Sequence, residues 1–268
     1  MSLASITPPR PTPASTPRVA NAIASASART GVDFDYLFNQ ARVESGLNPS
    51  AKAKTSSASG LFQFTRQTWL ATVKEHGATH GLGWASEAIT KGADGTYRIN
   101  KPGLGQSVLD MRFDPEASSA MAAEFASDNR DYLSQRLGHD VDSVDLYLAH
   151  FLGAGGAAKF LSAHDAAPHT AAAPLFPAAA AANRSIFYKS DGSAKSLSEI
   201  RGSFDAKMRG AVPASFQTVT TTQSKSQSQS ASQPPRALAM QDVQAMPGRL
   251  SLAFAQSAYA RVAADRGL

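Results

Sequence analysis

Apolar residues return every three or four positions through much of the chain, a period that predicts helices. Val19, Ile23 and Ala26 make one stripe, on a helix capped by Thr16, started by Pro17 and ended before Gly31. Asp33 suits an N-cap, with Val32 and Leu37 as the flanking apolar staple, so the next helix is predicted over 34–45, where Gly46 stops it. Residues 115–137 read as one long helix closed by Gly138, Asp142 or Ser143 opens another that runs to about Gly153, and 157–163 closes the domain. The strand-like run 96–99 beside Asp94-Gly95 predicts a small hairpin instead. Ile186-Phe187-Tyr188, Asp191-Gly192 and the pattern Leu197, Ile200, Phe204 mark a short structured appendage, too small to bury its own core and so expected to dock on the preceding domain. Leu250, Phe254, Ala258 and Val262 repeat at fourfold spacing on a terminal helix whose stripe needs a partner.

One polar residue breaks this pattern informatively. Leu37, Ala41 and Glu44 fall at i, i+4 and i+7, so Glu44 shares the apolar, inward face of its helix. It also stands in the last turn. There the helix dipole is negative, and both that field and burial disfavour an ionised carboxylate, the setting of a general acid. The bland alternative is an outward Glu44 paired with Lys52 or Lys54.

Composition narrows the class. With 268 residues, 43% hydrophobic and 18% charged, the chain suits one sizeable globular core with additional segments. It has no cysteine, hence no disulfide framework and no thiolate metal site. No run of about 18 apolar residues predicts a membrane span. The first residues lack a basic segment followed by an apolar one, so no Sec-type signal peptide is predicted. Residues 1–167 carry 15 Lys and Arg against 16 Asp and Glu, whereas 168–268 carry 11 against 5, which places the net charge of +5 in the tail. That tail lacks aromatic residues interleaved with its cations, so nucleic acid is not an expected partner. His76 and His80 are four apart, but Gly77 and Gly81 weaken the helix and Glu75 precedes both histidines, so no metal and no cofactor is predicted.

The motifs around Glu44 supply a resemblance. Glu44-Ser45-Gly46-Leu47-Asn48-Pro49, then Ser57-Ala58-Ser59-Gly60-Leu61-Phe62-Gln63-Phe64, then Thr68-Trp69, resemble the SLT-type lytic transglycosylases, peptidoglycan lyases of goose-type lysozyme fold. Phe113-Asp114-Pro115-Glu116 and Leu148-Ala149-His150-Phe151-Leu152-Gly153 continue the likeness over roughly residues 17–163, with an unmatched insertion at about 74–110. One departure matters: the family's motif tyrosine and asparagine align with Phe151 and Leu152. Tyr147, one turn earlier on the same face, is the preferred substitute, with His150 the alternative.

The resemblance implies a mainly α, lysozyme-like (goose-type/SLT) domain with a small hairpin-containing insertion and a partly disordered C-terminal tail. The expected units are a disordered leader at 1–16, the catalytic domain at 17–167, an Ala/Pro-rich spacer and docking appendage at 168–210, a disordered linker at 211–236 and an amphipathic helix at 237–268. It further implies cleavage of the MurNAc-GlcNAc β-1,4 bond with formation of 1,6-anhydro-MurNAc. Glu44 is the implied acid and then base, with Ser45, Gly60, Gln63, Tyr147 and His150 implied at the substrate. Gly60 is expected to let the backbone approach Glu44 or the sugar, and Gln63 to bind an N-acetyl group. The implied partner is the peptidoglycan glycan strand, in the periplasm or at the cell wall. An envelope-spanning machine, flagellar, secretory or phage, is the further partner class left open for the tail. Two rival readings stand beside this one: a hydrolase whose second acid is Glu75, Glu87 or Asp94 of the insertion, and a non-catalytic wall-binding module.

Overall fold

The computed structural model describes residues 15–54 and 56–210. The expected C-terminal linker and helix, including the stripe from Leu250 to Val262, and nearly all of the expected leader lie outside the described residues.

The described chain is mainly helical: α1 (Ser15–Thr30), α2 (Phe34–Ser45), α3 (Arg66–His76), α4 (Gly83–Ala88), α5 (Gly105–Asp110), α6 (Pro115–Leu137), α7 (Ser143–Leu152), α8 (Ala154–Ala166), α9 (Pro177–Ala182), α10 (Arg184–Phe187) and α11 (Leu197–Met208). Its one named sheet is the antiparallel pair β1 (Ile89–Lys91) and β2 (Tyr97–Ile99), in which Thr90 faces Arg98. This is the architecture expected of a lysozyme-like helical domain. No helix among the described residues is long and apolar enough to cross a membrane.

Local chemistry fixes the main helix ends. The Asp33 carboxylate accepts the Tyr36 amide, and Gly46 ends α2 in the left-handed region, its amide bonding back to Ala41 and Arg42. α6 begins where Asp114 accepts the Ala117 amide with Pro115 in the first turn, and it ends at Gly138. α7 opens with a full capping box between Asp142 and Asp145. α1 starts two residues earlier than its Thr16-Pro17 signal suggests.

α6 is the central pillar, and α1, α2, α3, α7 and α8 all pack against it. Ile23, Leu37, Trp69, Leu70, Met121, Leu148 and Phe160 are among the core side chains. The Trp69 indole donates to the Val108 carbonyl at 2.7 Å, which satisfies its buried N–H. The insertion belongs to this core. Leu82, Ala85, Ala88, Ile89, Tyr97 and Val108 are all buried, so its apolar residues pack as part of the body of the domain.

The region after α8 also joins the core. α11 buries Leu197, Ile200, Phe204 and Met208 and lies against α7 and α2. Phe204 meets both Tyr147 (5.3 Å between ring centres) and Phe151 (5.1 Å) edge-on, and Arg201 bridges to Asp142 and Asp145 at the start of α7. Arg42 of α2 donates to the Lys207 carbonyl at 2.8 Å. α11 therefore braces the two helices that carry the chemistry described next.

Candidate active site

Glu44 points inward. Leu37 and Ala41 are fully buried and Glu44 is 1% exposed, so the i, i+4, i+7 face is the inner one. The outward pairing with Lys52 or Lys54 does not occur: both lysines are exposed, and Lys52 lies over the Phe113 ring.

Across from Glu44 stands α7. His150 Nε2 is 3.2 Å from Glu44 Oε1, and its other nitrogen, Nδ1, is 3.0 Å from the side-chain amide nitrogen of Gln40. The His150 ring stacks on Tyr147, 5.8 Å between centres and 19° between planes. Tyr36, two turns before Glu44 on α2, is buried as well. Burial, and then the charge of Glu44, push the phenols of Tyr36 and Tyr147 well above their usual range. Among the described residues Glu44 is the one carboxylate whose charge bears on both hydroxyls. Tyr147 thus lies in the electrostatic reach of the acid, while Phe151 is packed among Phe187 and Phe204.

The loop between α2 and α3 closes the other side. Ser45 donates to the Ala41 carbonyl at 3.0 Å and accepts the Asn48 amide at 3.2 Å, so its hydroxyl ties the helix end to the loop. Gln63 is fully buried, and its amide nitrogen donates to the carbonyls of Gly60 (2.7 Å) and Ala51 (3.2 Å). These two bonds make Gln63 a strut of the loop. The two non-glycine residues with positive φ among those described, Leu47 (62°) and Gln63 (51°), both lie here, a local strain that the surrounding bonds hold in place.

Gly60 is needed for a different approach from the one its sequence context suggests. At φ +83° a Cβ there would stand 1.8 Å from the Arg112 carbonyl oxygen, so the close neighbour is Arg112 and its backbone. The Arg112 guanidinium in turn donates to the Ser57 carbonyl at 2.7 Å and to the Phe64 carbonyl at 3.3 Å, pinning the loop from beneath. Ala58 and Ser59 of this loop are buried.

The insertion's acids are engaged elsewhere. Asp94 is held down at about 2 by hydrogen bonds from Arg98 and then Thr96, Glu87 pairs with Lys101, and Glu75 accepts the Tyr97 hydroxyl at 3.5 Å. His76 and His80 face carboxylates of α6. His76 Nε2 donates to Asp128 at 2.8 Å with Nδ1 3.4 Å from Glu124, and His80 Nε2 is 2.6 Å from the same Glu124.

Gln40, Tyr36 and Arg112 went unnamed in the sequence reading. The first two were findable: they precede Glu44 by four and eight positions, so helical spacing puts all three on one face. Arg112 left no such signal.

Residues 21–87 match the family described as Transglycosylase SLT domain. The match holds most of α1, all of α2, the loop, α3 and most of α4, and therefore Glu44, Ser45, Gly60 and Gln63; Tyr147 and His150 lie beyond it.

Proposed function

From the match of residues 21–87 to the Transglycosylase SLT domain, we propose that the protein cleaves the β-1,4 bond between MurNAc and GlcNAc in peptidoglycan, leaving 1,6-anhydro-MurNAc. Glu44 protonates the glycosidic oxygen as the C1–O bond breaks, and the leaving sugar departs as an alcohol. The carboxylate then takes the proton of the MurNAc C6 hydroxyl, whose oxygen closes onto C1. No water enters the product.

The observation that carries this reading is the buried carboxylate at the end of α2, with two tyrosines in its field. A glycosidase that uses water usually needs a second carboxylate several ångströms away. Here the nucleophile is the sugar itself, so one carboxyl suffices. The three insertion acids that would serve a hydrolase are held by Arg98 and Thr96, Lys101 and Tyr97. Tyr147 takes the place beside the acid that Phe151 cannot fill, and the substrate is the glycan strand of the cell envelope. Ser45, Gly60 and Gln63 support it indirectly, by setting the loop that lines the reacting end of α2.

Mass analysis of soluble products from purified peptidoglycan tests the proposal, with wild type and Glu44→Gln side by side. Anhydro-muropeptides from wild type alone are expected. Reducing ends with water added would overturn the lyase in favour of a hydrolase, and wall binding without product would overturn the enzyme.

A further inference from the structure

We propose that His150 is the positioning residue of Glu44, and that Gln40 sets the tautomer in which it works. The inference rests on Glu44 being the acid and base of the preceding reading. It concerns which oxygen of that carboxyl reacts.

Hydrogen-bond logic gives the argument its direction. The Gln40 amide nitrogen carries only donors, so at 3.0 Å it makes His150 Nδ1 an acceptor. A neutral imidazole has one N–H, which then sits on Nε2. That nitrogen stands 3.2 Å from Glu44 Oε1, close enough that a small turn of the ring aims its N–H at that oxygen. Oε1 can accept in either protonation state of the carboxyl, because a protonated carboxyl keeps an acceptor oxygen. Oε2 is thereby left to give and take the proton at the sugar. The imidazole is itself held, stacked on Tyr147, which meets Phe204 of α11. Glu44 and His150 are 1% and 7% exposed at the side chain, so little water competes for the bond.

Gln40 makes the idea sharp. Its carbonyl oxygen is buried without a hydrogen-bond partner among the described residues, so there Nδ1 alone orients the amide. With the amide turned over, Nδ1 would carry the proton and Nε2 would face Glu44 as an acceptor. The two arrangements can be told apart by direct observation.

The experiment joins nitrogen-15 NMR of the histidine ring with pH–rate profiles for anhydro-muropeptide release. In wild type near pH 8 the His150 ring is expected as the Nε2–H tautomer, and Gln40→Met should mix the two tautomers. His150→Phe should slow release about 100-fold, the scale of a misplaced reacting group. It should also move the alkaline limb of the profile to higher pH, because the ionised carboxylate has lost a donor. His150→Gln, which restores an N–H of similar reach, should recover the rate to within about 10-fold of wild type. A ring found as the Nδ1–H tautomer overturns the proposal. So does a His150→Phe variant with the wild-type rate and profile, or one slowed without any movement of the limb. Were wild type itself to release no anhydro product, the functional reading would fall, while the tautomer measurement would still decide the geometry.

Discussion

Two of the histidine–carboxylate constellations among the described residues, at His76 and at His150, are separated by what the second ring nitrogen meets. At His76 both nitrogens face acids, Asp128 at 2.8 Å and Glu124 at 3.4 Å. That arrangement favours the imidazolium, and the pKa of His76 rises, first through its hydrogen bond to Asp128, against an opposing effect of burial. At His150 one nitrogen faces Glu44, but the other faces the amide donor of Gln40. There the second nitrogen meets a donor in place of an acid. The first group is a charge clamp between the α3 end and α6, partly open to solvent. The second is dry, braced by tyrosines and α11, and fit to hold a reactive oxygen still. Each imidazole stands within 3.2 Å of a carboxylate, and the neighbours assign the work.

The comparison can be broken most forcefully at Glu44. Glu44→Gln should lower anhydro-muropeptide release about 1000-fold, the scale of a lost general acid–base, with the thermal midpoint held or raised because a buried carboxyl becomes a neutral amide. Assay and thermal melt together check it, and lost activity with a collapsed melt would make Glu44 structural. Gly60→Ala strikes the loop beneath the site. Its Cβ would meet the Arg112 carbonyl at a positive φ, so denaturant unfolding should show a loss of about 3 kcal/mol. Equal stability would mean that the loop shifts freely.

At the clamp the signs reverse. Glu124→Gln removes the acid shared by His76 and His80, and should cost about 1–3 kcal/mol in the same unfolding experiment. The rate of product release should stay near wild type, since the clamp is built from α3, the turn after it and α6. The smallest effect is the dependence on pH. His76 has a folded pKa above its ordinary 6.5, so its contribution is complete below that value and fades as pH rises through the elevated one. The stability gap between wild type and His76→Asn should therefore narrow from pH 6 to pH 9. A gap constant over that range would show that His76 stays neutral.

Much of the frame was legible in order of sequence. Asp33 and Gly46 bracket α2 as their cap chemistry requires, Pro115 and Gly138 bracket α6, and Asp142 opens α7. The hairpin follows Asp94-Gly95, although its first strand, Ile89–Lys91, carried too short an apolar pattern to be seen. Leu197, Ile200 and Phe204 do face one side of α11, as their spacing required. The docking partner of that face was beyond sequence, because it depends on where α7 and α2 end up in space.

The inward turn of Glu44 was set by the sequence itself, since helical periodicity is local and three positions on one stripe suffice to bury a carboxylate. The motif around it was local as well. Tertiary structure alone decided the partners. His150 reaches Glu44 from 106 positions away, Gly60 turns out to make room for Arg112, and Gln63 spends its amide on Ala51 and Gly60. Local spacing fixes the face a side chain takes on its own helix, whereas the group it meets depends on how distant helices cross, and no short window of sequence encodes that crossing.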